Sequence, residues 1–161
     1  METNTKQQRL LRDLRSPLKL KFFFWRRLPS LLFWRVKIRH LDPERSEVTI
    51  PFTRNTQNPF KSIYFGAQAG AAEFSSGILA LLAMEGRAKV SMLVMDLRCE
   101  FYKKAAETIV FSCNDGHAVY DVISQAIETK EGQKLTMISE GKNSEGETVT
   151  KVWIEWSFKV K

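Results

Sequence analysis

At 161 residues the chain suffices for one domain that buries roughly two thirds of its unfolded surface. Its apolar share of 43% and charged share of 27% exclude a disordered or collagen-like chain, and two cysteines exclude a disulfide scaffold. The net charge of +7 is local, because residues 1–40 carry 11 Lys/Arg against Glu2 and Asp13, while residues 41–161 carry 14 basic and 16 acidic residues.

The excess charge belongs to an N-terminal helical arm, residues 1–30, ahead of a domain spanning 31–161. Leu10, Leu11, Leu14 and Leu18 recur at helical spacing with Arg9, Arg12, Arg15 and Lys19 between them. Pro17 suits an early helix position and predicts a break near Ser16. Phe22 to Trp25 then form an aromatic cluster beside Arg26 and Arg27. Such a segment suits peripheral membrane contact through residues 1–28, and it also suits a helix that caps an open side of a sheet, the preferred reading. Its cations could meet phosphate or simply face water. Arg26 and Arg27 interrupt the only early apolar stretch, so no secretory signal is expected. The Arg-rich, acid-poor stretch 5–27 has the charge but not the Ser-rich character of a transit peptide. Cys99 and Cys113, isolated from each other, fit a reducing cytoplasm.

Residues 35–40 and 46–53 read as strands joined by the turn Leu41-Asp42-Pro43-Glu44, with Val48, Ile50 and Phe52 alternating against Glu47, Thr49 and Pro51. From Ser62 to Met84 the only charge is Glu73, the only amide is Gln68, and glycine, alanine and serine dominate. The length invites a membrane-spanning reading, but small side chains carry little transfer energy and Glu73 would sit near mid-bilayer. A helix enclosed by protein is therefore expected, its small residues letting a sheet curl closely around it. Strands follow at 91–102, 107–113, 117–130, 133–140 and 149–160. In the first of these Leu93, Met95, Leu97, Cys99 and Phe101 are expected on one face, opposite Asp96, Arg98 and Glu100. Asn114-Asp115-Gly116 predicts a tight hairpin. The expected class is α+β, a long central helix wrapped by five or six antiparallel strands.

This order is that of the hotdog fold, and the segment from Asn58-Pro59 through Gly66 to Glu73 resembles the motif of hotdog thioesterases of the phenylacetyl-CoA type. Asn58, Pro59, Gly66 and Glu73 fall at matching spacings, whereas Tyr64 stands where those enzymes carry His, Phe65 replaces the first Gly of a pair, and Lys61 replaces an earlier Gly. Phe65-Gly66-Ala67-Gln68-Ala69 and Tyr102-Lys103-Lys104-Ala105 are similar to a thioesterase-like hotdog branch of undefined function. The resemblance implies an acyl-CoA or acyl-carrier thioester as substrate, coenzyme A entering only as part of it, and a site shared across a homodimer, alone or paired into a dimer of dimers. It assigns catalysis to Glu73 as base or nucleophile, Asn58 as orienting group and the amides near Gly66 as oxyanion site. Tyr64, Phe65, Gln68, Lys103 and Lys104 are then substrate contacts.

From the residues alone, a carboxylate inside an apolar helix resists ionising, and unpaired helix N-terminal amides favour an oxyanion. Glu73 could equally be a buried structural acid, Asn58 the side chain of an Asx turn, and the two lysines solvated strand-end charges. The alternative function is a non-catalytic hotdog module that binds an acyl chain or another hydrophobic ligand. No zinc or other metal is expected, since His40 and His117 lack ligand partners at suitable spacing. Neither GxSxG, P-loop nor GxGxxG is present. Nucleic acid is not expected as a partner, because the charge sits in the arm instead of spreading over one face of the domain.

Overall fold

The computed structural model describes residues 3–161. Its elements run α1 (Thr5–Arg15), α2 (Pro17–Arg27), α3 (Pro29–Phe33), β1 (Lys37–Leu41), β2 (Ser46–Ile50), α4 (Phe65–Met84), β3 (Val90–Phe101), β4 (Ile109–Cys113), α5 (Gly116–Thr129), β5 (Gln133–Lys142) and β6 (Thr148–Val160). The six strands form one antiparallel sheet in the order β1-β2-β4-β5-β6-β3. The arrangement is the expected α+β hotdog architecture, a long helix lying against the inner face of an antiparallel sheet.

Thirteen of the 20 residues of α4 are buried, around most of its circumference. It is long and apolar enough to cross a membrane, yet it is the core helix of the domain. Its serines settle their hydroxyls internally: Ser75 Oγ donates to Ala72 O (2.7 Å) and meets Ser139 Oγ (2.7 Å), and Ser76 Oγ accepts from Trp156 Nε1 (3.0 Å). Gly66, Ala69, Gly70, Glu73, Gly77 and Leu81 are only partly covered, and their spacing of three or four places them along one stripe of the helix.

The arm packs onto this helix. Asn4 and Gln7 form a capping box at the start of α1. The same side chains reach across to the end of α4, where Asn4 Nδ2 donates to Glu85 O and Gln7 Nε2 to Leu82 O, both at 2.9 Å. The Glu85 carbonyl, which the helix C-terminus leaves free, is thereby satisfied, and the Leu82 carbonyl gains a second donor beside Glu85 N. Phe24 of α2 is buried edge-on against Phe74, ring centroids 5.1 Å apart. Beyond α3, a helix not foreseen in the sequence, the Trp34 ring lies over Gly70, where a Cβ would sit 2.8 Å from Trp34 Cζ3.

Two expectations are overturned. Residues 117–130 are not a strand, and Asn114-Asp115-Gly116 is not a hairpin: Gly116 begins the helix α5. Val119, Ile123 and Ala126 bury one helical face, and the arithmetic of three and four outweighs a local Asp-Gly turn signal once there is α4 to pack against. The one-faced reading of β3 fails as well. Val94 pairs with Trp156 and Asp96 with Glu155, so Met95 is the extra residue of a bulge. Leu93, opposite Ser157, and Leu97, opposite Ile154, therefore point to opposite sides of the sheet.

Gly116 is required by close approach. A Cβ there would lie 2.2 Å from Pro43 O and 2.5 Å from Glu44 O, both rigid backbone in the β1–β2 turn. Gly116→Ala is expected to cost about 2 kcal/mol or more in a urea melt, and an unchanged midpoint would contradict this contact.

Candidate functional site

The start of α4 is fixed from two sides. The loop before it is held by Asn58, whose Oδ1 accepts from the Phe60 amide (3.0 Å) and from the Ser62 amide and hydroxyl (both 3.2 Å). That is an Asx-type turn. Tyr64 N donates to Thr56 O (2.7 Å), and Ile63 N donates to Ala105 O (2.8 Å) in the segment that follows β3. Residues 58–66 and the Tyr102-Lys103-Lys104-Ala105 run are thereby brought together at one end of the domain.

At this end Tyr64 O already accepts from both Ala67 N and Gln68 N, while the amides of Phe65 and Gly66 donate to no described acceptor. Tyr64 and Phe65 are exposed and lie against each other at a tilt of 57°, ring centroids 4.7 Å apart. The Tyr64 ring leans over Gly66, where a Cβ would lie 2.6 Å from Tyr64 Cε1, so any side chain at 66 would drive the ring away.

Gln68 has both ends of its amide engaged inside the protein: Nε2 donates to Ile63 O (2.9 Å) and Oε1 accepts from the Thr150 hydroxyl. It ties the first turn of α4 to β6. Lys103 is paired with Glu147. Lys104 is exposed and has no carboxylate partner among the described residues.

Glu73 lies two turns further along α4, on the partly covered stripe, with its Oε1 3.5 Å from the Cβ position of Gly77. No described group donates to its carboxylate, and burial alone pushes its pKa above the ordinary 4.5. Trp156 Cζ2 packs at the same point, 3.4 Å from that Cβ position. Burial also pushes the Cys113 thiol up to about 12, which removes it as a nucleophile at neutral pH.

Sequence reasoning missed Trp34 and Trp156, the two rings that flank the stripe. The inward alternation of β6 carried a signal for Trp156, but nothing local marks Trp34. Of the inward residues of β3, Leu97 and Phe101 are exposed at the sheet edge, together with the outward Leu93 and the bulged Met95.

A hotdog-like α+β domain is the fold class that this helix and sheet order define. The chain belongs to the DUF4442 family, a domain of unknown function, which it matches over residues 19–158. No curated protein matches it. Among solved structures it is similar to a Pseudomonas aeruginosa protein of unknown function described as a probable thioesterase, at TM-score 0.76 and 17% identity over 91% of this chain and 97% of that one. A Chlorobaculum tepidum protein of unknown function aligns at TM-score 0.77 and 17% identity over 89% and 94%. A Haemophilus influenzae thioesterase aligns at TM-score 0.65 and 10% identity over 90% and 91%. At these identities the likeness is one of fold.

Because the Glu73 carboxyl holds its proton more tightly folded than unfolded, the stability it contributes is fully present below about pH 4.5 and is lost as pH rises through the folded value. Glutamine cannot ionise. Urea midpoints of wild type and Glu73→Gln should therefore nearly coincide at acid pH and separate in favour of the variant at pH 8. An offset that is the same at both ends would refute the raised pKa.

Proposed function

We propose that the protein hydrolyses acyl thioesters, carried by coenzyme A or an acyl carrier, at a site completed by a second copy of the chain. The observation that carries this reading is an unpaired, half-buried carboxylate, Glu73, on the same helix whose first amides, Phe65 and Gly66, have no described acceptor. In the reaction Glu73 takes a proton from water as general base, the hydroxide adds to the thioester carbonyl, and the amides hold the oxyanion. Collapse of the tetrahedral intermediate breaks the C–S bond, and the thiolate leaves with a proton returned by Glu73.

Spacing supports the need for two copies. Seven residues separate Glu73 from Gly66, about 10 Å along one helix, too far for both to meet the same carbonyl group. β3 supports it too: 12 residues long, it ends the sheet with one side unpaired and Leu93, Met95 and Phe101 exposed. An edge of that kind is covered by pairing with a like strand, which would bring two α4 helices side by side. Asn58 then orients the substrate loop, Tyr64 and Phe65 line the acyl entrance, and Lys103 and Lys104 meet the coenzyme A phosphates. Both cysteines are free, which suits a reducing cytoplasm.

A second reading, a non-catalytic acyl binder, is favoured by the Tyr64 ring over Gly66, because it narrows access to the amides. Thiol release from short, medium, long and aromatic acyl-CoAs separates the two. Hydrolysis is expected, with kcat reduced at least about 100-fold in Glu73→Gln. No turnover from a folded dimer, with acyl-CoA still bound, would transfer the assignment to the binder.

A second expected outcome concerns assembly. Light scattering should give a dimer for the wild type, and Met95→Lys with Leu97→Glu should shift it toward monomer and lower turnover together. Full activity in a monomeric variant would remove the second copy from the site.

A further inference from the structure

The arm uses only part of its surface to cap α4. Helix α2 turns Phe24 into the core, yet Leu18, Phe22 and Trp25 on its outer side are 79%, 61% and 64% exposed. At 3.6 residues per turn these three fall within about 60° of the helix circumference and form one apolar stripe. The rings of Phe22 and Trp25 lie 5.9 Å apart. Three large apolar side chains held together in water by a helix whose opposite side is already buried amount to an unpartnered face.

The charges around the stripe say what covers it. On the same helical wheel Lys21 stands on one shoulder and Arg26 and Lys19 on the other. Lys19 is paired with Asp13 at 2.6 Å, but Lys21, Arg26 and Arg27 meet no carboxylate among the described residues. From Lys21 the basic surface continues along a groove of about 960 Å³ between α2 and β1, floored by Phe24 and Val36 and rimmed by Arg35 and Lys37. A protein partner would need acidic residues around an aromatic pocket. A nucleic acid would leave Leu18, Phe22 and Trp25 unsatisfied. A bilayer with anionic lipid satisfies both parts at once, apolar side chains at the acyl boundary and cations at the headgroups.

We propose that α2 is a membrane-docking helix that seats Leu18, Phe22 and Trp25 into the surface of an anionic bilayer, with Lys21 and Arg26 against lipid phosphates. The arm then has two faces with two tasks, since Phe24 fixes it to the domain and the opposite stripe holds the domain at a lipid surface. This assignment is independent of catalysis and stands whether or not Glu73 hydrolyses a thioester.

Sedimentation of the full chain with vesicles of phosphatidylcholine containing increasing phosphatidylglycerol tests it. The bound fraction should rise with phosphatidylglycerol and fall in about 0.5 M salt. Leu18→Ser, Phe22→Ser and Trp25→Ser combined should lower the partition coefficient at least about tenfold, with an unchanged urea melt, because all three side chains are already exposed. Lys21→Glu with Arg26→Glu should remove the dependence on phosphatidylglycerol. Absence of sedimentation, or sedimentation equal in the triple variant, would overturn the proposal. So would a triple variant that changes the oligomeric state in lipid-free light scattering, which would give the stripe to a second copy of the chain.

Discussion

An apolar helix can be enclosed only if its neighbours come close, and along α4 three aromatic rings lie against glycines, two of them where a side chain would otherwise stand. Tyr64 lies over Gly66, Trp34 over Gly70, and Trp156 beside Gly77. Each ring comes from a different part of the molecule: the loop ahead of α4, the link between α3 and β1, and β6. The helix thus fixes the relative placement of all three. A methyl group at Gly66 or Gly70 would overlap a ring atom at less than 3 Å, so the arm and the loop could not both keep their positions.

The same stripe is the part of α4 left only partly covered. Where Gly66, Gly70 and Gly77 have no side chains, the one long polar side chain among them, Glu73, reaches toward solvent without a donor to meet it. A fully buried carboxylate would be neutral and inert, and a fully exposed one would be an ordinary acid. Glu73 lies between these limits because Trp156 packs near its carboxylate while Gly77 adds no side chain beside it. Structure and candidate chemistry depend on one compositional choice, small residues on one side of the core helix.

Much of this could be read from the chain because burial leaves a periodic trace. The run of small residues announced α4, and the alternation of Val152, Ile154, Trp156 and Phe158 announced β6 as the strand against it. Ser16 and Pro17 marked the break between the arm helices correctly. What failed were features that tertiary contact decides. In 117–127 the apolar residues Val119, Val122, Ile123, Ala126 and Ile127 follow the three-and-four spacing of a helix and would divide between both faces of a strand, but the Asp-Gly signal outweighed that spacing in the reading. The bulge at Met95 has no composition of its own, yet it reverses the side of every residue after it. For the site, Glu73 and Gly66 stood out as the charge and the small residue in unusual company. Gln68 was identical in kind to a ligand-facing amide, and only the partners Ile63 and Thr150 reveal that it faces inward.

The arm's two hydrogen bonds to the end of α4 span 75 and 81 residues of chain. During synthesis the arm leaves the ribosome before α4 does, and these two hydrogen bonds cannot form until Leu82 and Glu85 have followed. The sheet waits longer still. β3 and β5 are joined only through β6, so neither can be fixed beside the other before residues 148–160 arrive. Until then α4 can lie only against the partial sheet of β1, β2, β4 and β5, with β3 unattached, a state in which long-range closure comes late and exposed surface comes early. The nascent chain therefore carries an open β5 edge and an unattached β3 until β6 slots in between them.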